Sequence, residues 1–522
     1  MSGMKNENKD FKNGLNWFQK AASAVLIAAA LMLLSVFAPA AVSQAAEAVE
    51  NTTDYYQSVE KANLEKQIND FTKLYGVYLE NYKMAASGLG AEATIKAEFD
   101  PGFAAAVGLK NLKSIKTTAV SRQTDKKADS ILTFFTNDIE LTSMKVLTDV
   151  EKEVTYLLIP ELSKAYLKIP TNSSYGNSYS TAALFSAKDV MEFFNNNPLT
   201  EELLNKLLKR YTTVALGEIK NVSSMDYFMT AGGISGDQTM FTVKIDEKTL
   251  LAIAEKVLKT ARTDGDLEDL LVKLKICTKE QYGLIVDAAL DSIAAQKDLY
   301  SELENETLFV MRVWVDSQGN ITGREFLADA DSDTSILGYK TIKAGANTGI
   351  EAWFSLEEEE VLKLSGTVSE ENGLNSGDLS VTITDSYMDA PLEFNIALQD
   401  VSITSTDATS YMNGKFVITS TSLPGQRIEA ALYGNEIEQK IKAELIQETT
   451  KLVTVTINSK VLSYEDFDLP SDSDKVYDME TQLEAYLNET DFAGYLENIN
   501  KKVDVEGINA VLEQLLNAYK LN

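Results

Sequence analysis

From Ala91 to Phe99 the chain alternates, with Ala91, Ala93, Ile95, Ala97 and Phe99 on one set of positions and Glu92, Thr94, Lys96 and Glu98 on the other. A period of two sends the first set to one side of a strand and the second to the opposite side, so one face is buried and one is wet. Further strands are expected near Ile115–Ser121, Ser130–Thr136, Ile139–Leu147, Glu153–Ile159 and Lys164–Ile169. Polar turns such as Asp125-Lys126-Lys127 and Asn137-Asp138 part them, and Asp100-Pro101-Gly102 also reads as a turn. Connections this short predict a meander in which neighbours pair.

The same texture returns after Thr307. Thr307–Val315 and Asn320–Ala328 flank Asp316-Ser317-Gln318-Gly319, a hairpin turn by composition. Strands are then expected near Ser335–Lys343, Gly349–Leu356, Val361–Ser369, Asp378–Thr384, Leu392–Thr404, Gly414–Thr421, Gln426–Leu432 and Lys451–Ser459.

A period near 3.6 marks the helices. Leu64, Ile68, Phe71, Tyr75, Tyr78 and Tyr82 form one stripe that Gly88-Leu89-Gly90 ends. Ala187–Asn195 reads as helical, and Pro198-Leu199-Thr200 opens a helix carrying Leu203, Leu204, Leu207, Leu208 and Tyr211. A hairpin around Gly232-Gly233 joins Met225–Thr230 to Gln238–Ile245. Asp246 caps a helix with Leu250, Ile253 and Val257, and Thr278-Lys279-Glu280-Gln281 is a capping box. Helices near Tyr477–Leu487, Phe492–Lys501 and Val505–Tyr519 end the chain.

These elements predict an α+β fold: a large curved antiparallel sheet, half-barrel-like, with helices packed in or across its concave face. The expected segments are a signal peptide over 1–45, then 46–303 (helix, meander and helical insert), then 304–522 (a long sheet with C-terminal helices). The last two form one continuous domain or two halves meeting near Glu304, because the 8 Pro and 27 Gly mark no linker. The signal peptide is read from basic Lys5, Lys9, Lys12 and Lys20, the apolar run Ala21–Phe37, and Ser43 and Ala45 at the small-residue cleavage positions. An uncleaved apolar anchor is the alternative. Either way the chain is expected to be exported, extracellular or held at the cell envelope.

Composition then removes functions. With no histidine among 522 residues, Ser-His-Asp and Cys-His catalysis and His-ligated zinc have no residues to use. The single cysteine, Cys277, makes no internal disulfide and reads as a buried thiol. A net charge of −30 repels nucleic acid and suits solubility outside the cell. Asp329-Ala330-Asp331-Ser332-Asp333 begins like a calcium loop, but Thr334 stands where the turn needs Gly and Lys340 where it needs Glu. Glu357-Glu358-Glu359-Glu360 and Ser471-Asp472-Ser473-Asp474 read as wet loops. Ala231–Gly236 is Gly-rich but lies between strands, so it reads as a hairpin tip rather than a phosphate loop. Trp314 and Trp353 sit inside strand patterns and are expected in the core.

The strands Glu153–Ile159 and Lys164–Ile169, after the long helix and the meander, resemble the bacterial lipoprotein-carrier and mycobacterial lipid-carrier superfamily. Thr307–Lys343, with Trp314-Val315-Asp316-Ser317-Gln318-Gly319-Asn320-Ile321-Thr322-Gly323-Arg324, is similar to exported proteins of Gram-positive bacteria. The first resemblance implies a half-open curved sheet with helices in its mouth and an apolar cavity for acyl chains. The function expected is therefore non-enzymatic binding of a lipid or other amphiphile in an apolar groove, with no cofactor and no metal. Ile95, Phe99, Phe135 and Leu158 are the candidate lining residues, or else simply pack on helices. The alternatives are a cell-envelope structural or adhesion scaffold, partnered by envelope components, and a hydrolase working through some pair of its 78 carboxylates.

Overall fold

A computed structural model describes residues 51–170, 198–301, 306–327, 334–356, 359–384, 390–405, 410–421 and 423–521. The signal peptide over 1–45, the helix expected at Ala187–Asn195 and the acidic loop Asp329–Asp333 lie outside them. The fold is α+β and its sheet pairing is almost wholly antiparallel.

In chain order the elements are α1 (Thr52–Gly88), β1 (Leu89–Phe99), α2 (Pro101–Ala106), β2 (Ser114–Gln123), β3 (Lys127–Thr136), β4 (Ile139–Asp149), β5 (Val154–Leu158) and β6 (Tyr166–Pro170). Next come α3 (Glu201–Leu216), β7 (Val222–Ala231), β8 (Ile234–Asp246), α4 (Glu247–Arg262), α5 (Gly265–Lys273) and α6 (Lys279–Ser301). The long run of strands is β9 (Thr307–Val315), β10 (Ile321–Leu327), β11 (Ser335–Ala344), β12 (Asn347–Leu356), β13 (Glu359–Glu371), β14 (Leu374–Ile383), β15 (Leu392–Ser405), β16 (Ser410–Ser420), β17 (Gln426–Gly434), β18 (Glu438–Gln447) and β19 (Thr450–Leu462). The chain closes with β20 (Val476–Asp478), α7 (Leu483–Glu489), α8 (Phe492–Lys502) and α9 (Glu506–Leu521).

Four elements differ from the sequence reading. Asp100 does not simply turn the chain: its carboxylate accepts from the Phe103 N–H at 2.9 Å and caps α2, with Pro101 in the first turn. β18 was passed over although Lys440, Lys442 and Glu444 alternate with Ile441, Ala443 and Leu445, the same period of two that marks β1. α5 is only 9 residues long, too short for periodicity to show. The helix expected at Tyr477–Leu487 is divided, because Val476–Asp478 pairs in parallel with β6 before α7 begins.

The chain contacts cluster into two compact units, each joining segments far apart in sequence. The first contains α1 as far as Tyr75 together with Pro198–Thr367. Its strands pair in the order β7-β8-β9-β10-β11-β12. Gly232 and Gly233, at φ 53 and 81, make the two-residue turn between β7 and β8 that needs left-handed backbone at both positions. Phe241, Val313, Arg324 and Tyr339 stand opposite one another across β8–β11 and so share a face. α1 lies on that face: Tyr56 and Val59 pack in one cluster with Phe241, Val243, Val313 and Val315.

Arg324 is a cation in the middle of this core. Its two terminal nitrogens donate to the Glu60 carboxylate at 2.6 and 2.7 Å, and both side chains are almost wholly buried. Burial disfavours the guanidinium, but Glu60 beside it outweighs that loss and raises its proton affinity. The same burial, with Glu60 adding to it, holds the Tyr56 hydroxyl well above the ordinary tyrosine range, and hence neutral.

The second unit contains residues from Gly76 through β6 together with Val368 to the C-terminus. Its strand order is β14-β15-β16-β17-β18-β19-β1-β2-β3-β4-β5-β6-β20. β1 is therefore an interior strand, pairing with β19 from the far end of the chain on one side and with β2 on the other. Ile499 of α8, Ile508 of α9, and Val503 and Val505 from the link between them join a cluster with Ala104, Leu112 and Phe99.

Removing one partner of the Glu60–Arg324 pair leaves a buried charge uncompensated, which costs about 3–5 kcal/mol. Glu60→Gln is therefore expected to move the urea unfolding midpoint down sharply, whereas Glu60→Leu with Arg324→Met recovers most of the loss. A Glu60→Gln protein that unfolds at the wild-type urea concentration would contradict this role.

Candidate functional site

The register of the second unit builds one apolar face. Leu379, Ile396, Ile418, Ile428, Leu445, Val453 and Phe99 stand opposite one another in succession from β14 to β1. A second row runs Leu398, Phe416, Ala430, Ala443, Val455, Ala97 and Ile115. A third runs Leu432, Ile441, Ile457, Ile95, Thr117 and Phe134. Directly opposed residues point to the same side, so the three rows form a single surface.

The reverse side is polar. Glu429, Glu444, Thr454, Glu98 and Ser114 form one row there, and Lys442, Thr456, Lys96 and Lys116 another. Glu444 accepts from Lys442 at 2.6 Å and Lys451 at 2.8 Å, and these bonds hold its carboxyl below the usual carboxylate range.

Cover on the apolar face is uneven. Phe99 is packed beneath the C-terminal helices, and Leu157 and Leu167 pack with Tyr477 and Tyr486. The Tyr495 hydroxyl of α8 also reaches the Thr142 hydroxyl at 3.2 Å. Elsewhere large side chains stand open: Ile95 is 51% exposed, Ile428 40% and Ile441 37%. Among the described residues no core cluster takes in Ile396, Ile418, Ile428, Ile441 or Ile457. Ile396, Ile418 and Ile457 are partly buried, and a broad apolar face that is half open marks a binding surface more often than scattered single residues do.

The four lining candidates divide between the two faces. Ile95 and Phe99 lie on the apolar one. Phe135 stands opposite Lys116 on the polar side, where the Lys116 ammonium sits 3.9 Å from its ring centre. Leu158 stands opposite Lys145, which is opposite Ile131, so it too is on the polar side. Sequence reasoning passed over Ile396, Ile418, Ile428, Ile441 and Ile457. The signal was present in runs such as Phe394-Asn395-Ile396-Ala397-Leu398, but only the register shows that these runs share a side.

The first unit gathers its polar groups into structural bonds. Asp264 caps α5, bonds Arg210, and accepts from the Tyr211 hydroxyl at 2.9 Å, so both of its oxygens are engaged. Asp266 takes Lys206 at 2.7 Å and Arg210 at 2.8 Å. Cys277 packs with Tyr282 and Val286, and burial with Glu268 nearby pushes its thiol up, away from nucleophilic character. Among the described residues no group of three or more Cys, Asp or Glu is arranged to hold a metal ion. An open cleft of ≈ 550 Å³ lies over Thr200, Glu201, Glu202, Asn205 and Lys206 at the start of α3. Among the described residues no helix is long and apolar enough to cross a membrane.

Tyr282 donates to the Ala261 carbonyl at 2.6 Å, and burial, reinforced by Asp264 and Glu268, pushes its pKa from 10.0 up to about 12. A raised folded pKa gives stability that is complete below the unfolded value and lost as pH climbs through the folded one. The first unit is therefore expected to lose stability between about pH 10 and pH 12. Tyr282→Phe should weaken that dependence while lowering neutral-pH stability by about 1 kcal/mol for the lost hydrogen bond. Unfolding midpoints measured across this range, with tyrosinate absorbance alongside, check both; an unchanged alkaline slope in the variant counts against it.

No protein-family model and no curated protein matches the chain. Among solved structures it is similar to Salmonella typhi OmpF in complex with daunomycin, at 8% identity and TM-score 0.20, over 72% of this chain and 97% of that one. It is also similar to a mutant of the Rh. blastica porin, at 9% identity and TM-score 0.14, over 72% of this chain and 99% of that one. Likeness at this level carries no argument about fold or function.

Proposed function

We propose that the protein is exported and non-enzymatic, and that it binds a lipid or other amphiphile on the apolar face of the second unit's sheet. The observation that supports this reading is the unbroken apolar register from Leu379 to Phe99, in which Ile428 is half-exposed, beside the half-exposed Ile441 and Ile95 of the same face. Left to water, such a surface is costly. An acyl chain removing about 200 Å² of it from solvent gains roughly 5 kcal/mol.

In this reading the sheet curves as a half-barrel about its apolar side, helices cross the mouth, and residues 1–45 direct export. Binding rests on area rather than on directed hydrogen bonds, so selectivity among chains of similar length is modest. The polar reverse face, with its Glu and Lys rows, keeps the loaded protein soluble.

The test starts from the chain beginning at Ala46, purified without detergent, extracted with organic solvent and analysed by mass spectrometry. Lipid in near-stoichiometric amount is expected, as is uptake of a fluorescent fatty acid after delipidation. Ile428→Asp with Ile441→Asp should reduce that uptake by about a hundredfold, since each charge on the face costs about 1.4 kcal/mol or more of ligand contact. A lipid-free protein that takes up no fatty acid would sink the proposal and leave the scaffold reading.

A further inference from the structure

We propose that β7 is an edge by which two copies of this chain join, their β7 strands pairing antiparallel about a two-fold axis centred on Met225. Among the described residues β7 pairs with β8 alone, in an unbroken register from Val222 to Ala231, so its outer row of backbone groups is free for another strand. Among the described residues, Asp226 is the one device on this strand of the kind that normally blunts an edge. β7 reads Val-Ser-Ser-Met-Asp-Tyr-Phe-Met-Thr-Ala, without Pro, Lys or Arg, and its register with β8 has no bulge. Two large apolar side chains stand open on it, Met225 at 56% and Phe228 at 68% exposure.

The strand is also held rigid. Just before it, the Thr53 hydroxyl and the Gln57 amide of α1 donate to the Lys220 and Ile219 carbonyls at 3.2 and 2.8 Å. At its far end the Thr367 hydroxyl donates to the Gly232 carbonyl at 2.6 Å, and Met229 and Ala231 are buried. The available edge is therefore Val222–Phe228, already in strand geometry, so little ordering entropy opposes pairing.

Charge selects a second copy as the occupant. The chain carries −30 overall, yet Asp226 is the only charged residue between Lys220 and Asp237. Two copies can approach here without the repulsion that the rest of the surface imposes. A two-fold normal to the sheet keeps each face on its own side, so opposed residues must share a face. Centring on Asp226 would oppose two carboxylates. Centring on Met225 instead opposes Met225 to its counterpart, Ser224 to Asp226, and Val222 to Phe228, pairing a hydroxyl donor with the one carboxylate and an aliphatic with the aromatic. The contact is small against the roughly 1,200 Å² of a stable interface, so the dimer is a weak one in the micromolar range.

Sedimentation of the mature chain from about 1 to 100 µM is expected to show reversible dimerisation. Met225→Lys, which opposes two ammonium groups at an exposed position, should weaken it about tenfold or more. In a Cys277→Ser background, Met225→Cys should form a disulfide-linked dimer on mild oxidation, whereas Phe228→Cys, which faces Val222, should not. The cross-link pair decides the matter even if the lysine variant folds poorly. A chain that stays monomeric throughout, a dimer indifferent to Met225→Lys in a folded protein, or self-linking at Phe228→Cys in place of Met225→Cys would overturn the proposal.

Discussion

A strand with one apolar side has to find cover for that side, and both units of this protein are organised by that demand. In the first unit the cover is a helix. α1 lays Tyr56 and Val59 on Phe241, Val313 and Val315, and the Glu60–Arg324 pair fixes where along the strands it rests. In the second unit the C-terminal helices cover the end of the face near Phe99 and the strands around Leu157 and Leu167. The span from Ile396 to Ile457 has no such partner among the described residues, and that difference between the units carries the functional reading.

The buried ion pair shows why cover and specificity are separate matters. A helix with a plain apolar stripe could slide on a sheet face by one turn at little loss. Glu60 meeting Arg324, across 264 residues of sequence, allows one register only. Arg324 gains nothing from burial itself, and its Nε finds no acceptor among the described residues. The pair is better understood as a positioning device than as a net source of stability.

Much of this architecture is legible in the sequence because its rules are local. Alternation from Ala91 to Phe99 gave a strand, Asp246 and the Thr278–Gln281 box gave helix starts, and Gly232-Gly233 gave a hairpin. Local rules fail where an element is too short to show a period, as in α5, whereas β18 carries the period-two alternation of Ile441, Ala443 and Leu445 and was legible though passed over. The candidate site was less legible for a different reason. Whether Ile95 and Leu158 share a side depends on the pairing of β1 through β5, one step of which can reverse every side chain of a strand. Nor could a window of sequence show β1 between β19 and β2, since that pairing joins residues Phe99 and Val453.

The central claim is that one face of the second unit's sheet, and not its reverse, receives an apolar ligand. It is tested most directly by neighbouring labels on one strand. In a Cys277→Ser background, a polarity-sensitive fluorophore is attached at Ile441→Cys or at Lys442→Cys, adjacent positions on opposite faces of β18. On titration with a long-chain fatty acid the account predicts a saturable blue shift at Ile441→Cys and none at Lys442→Cys. Equal responses at the two positions, or none at Ile441→Cys, would contradict it.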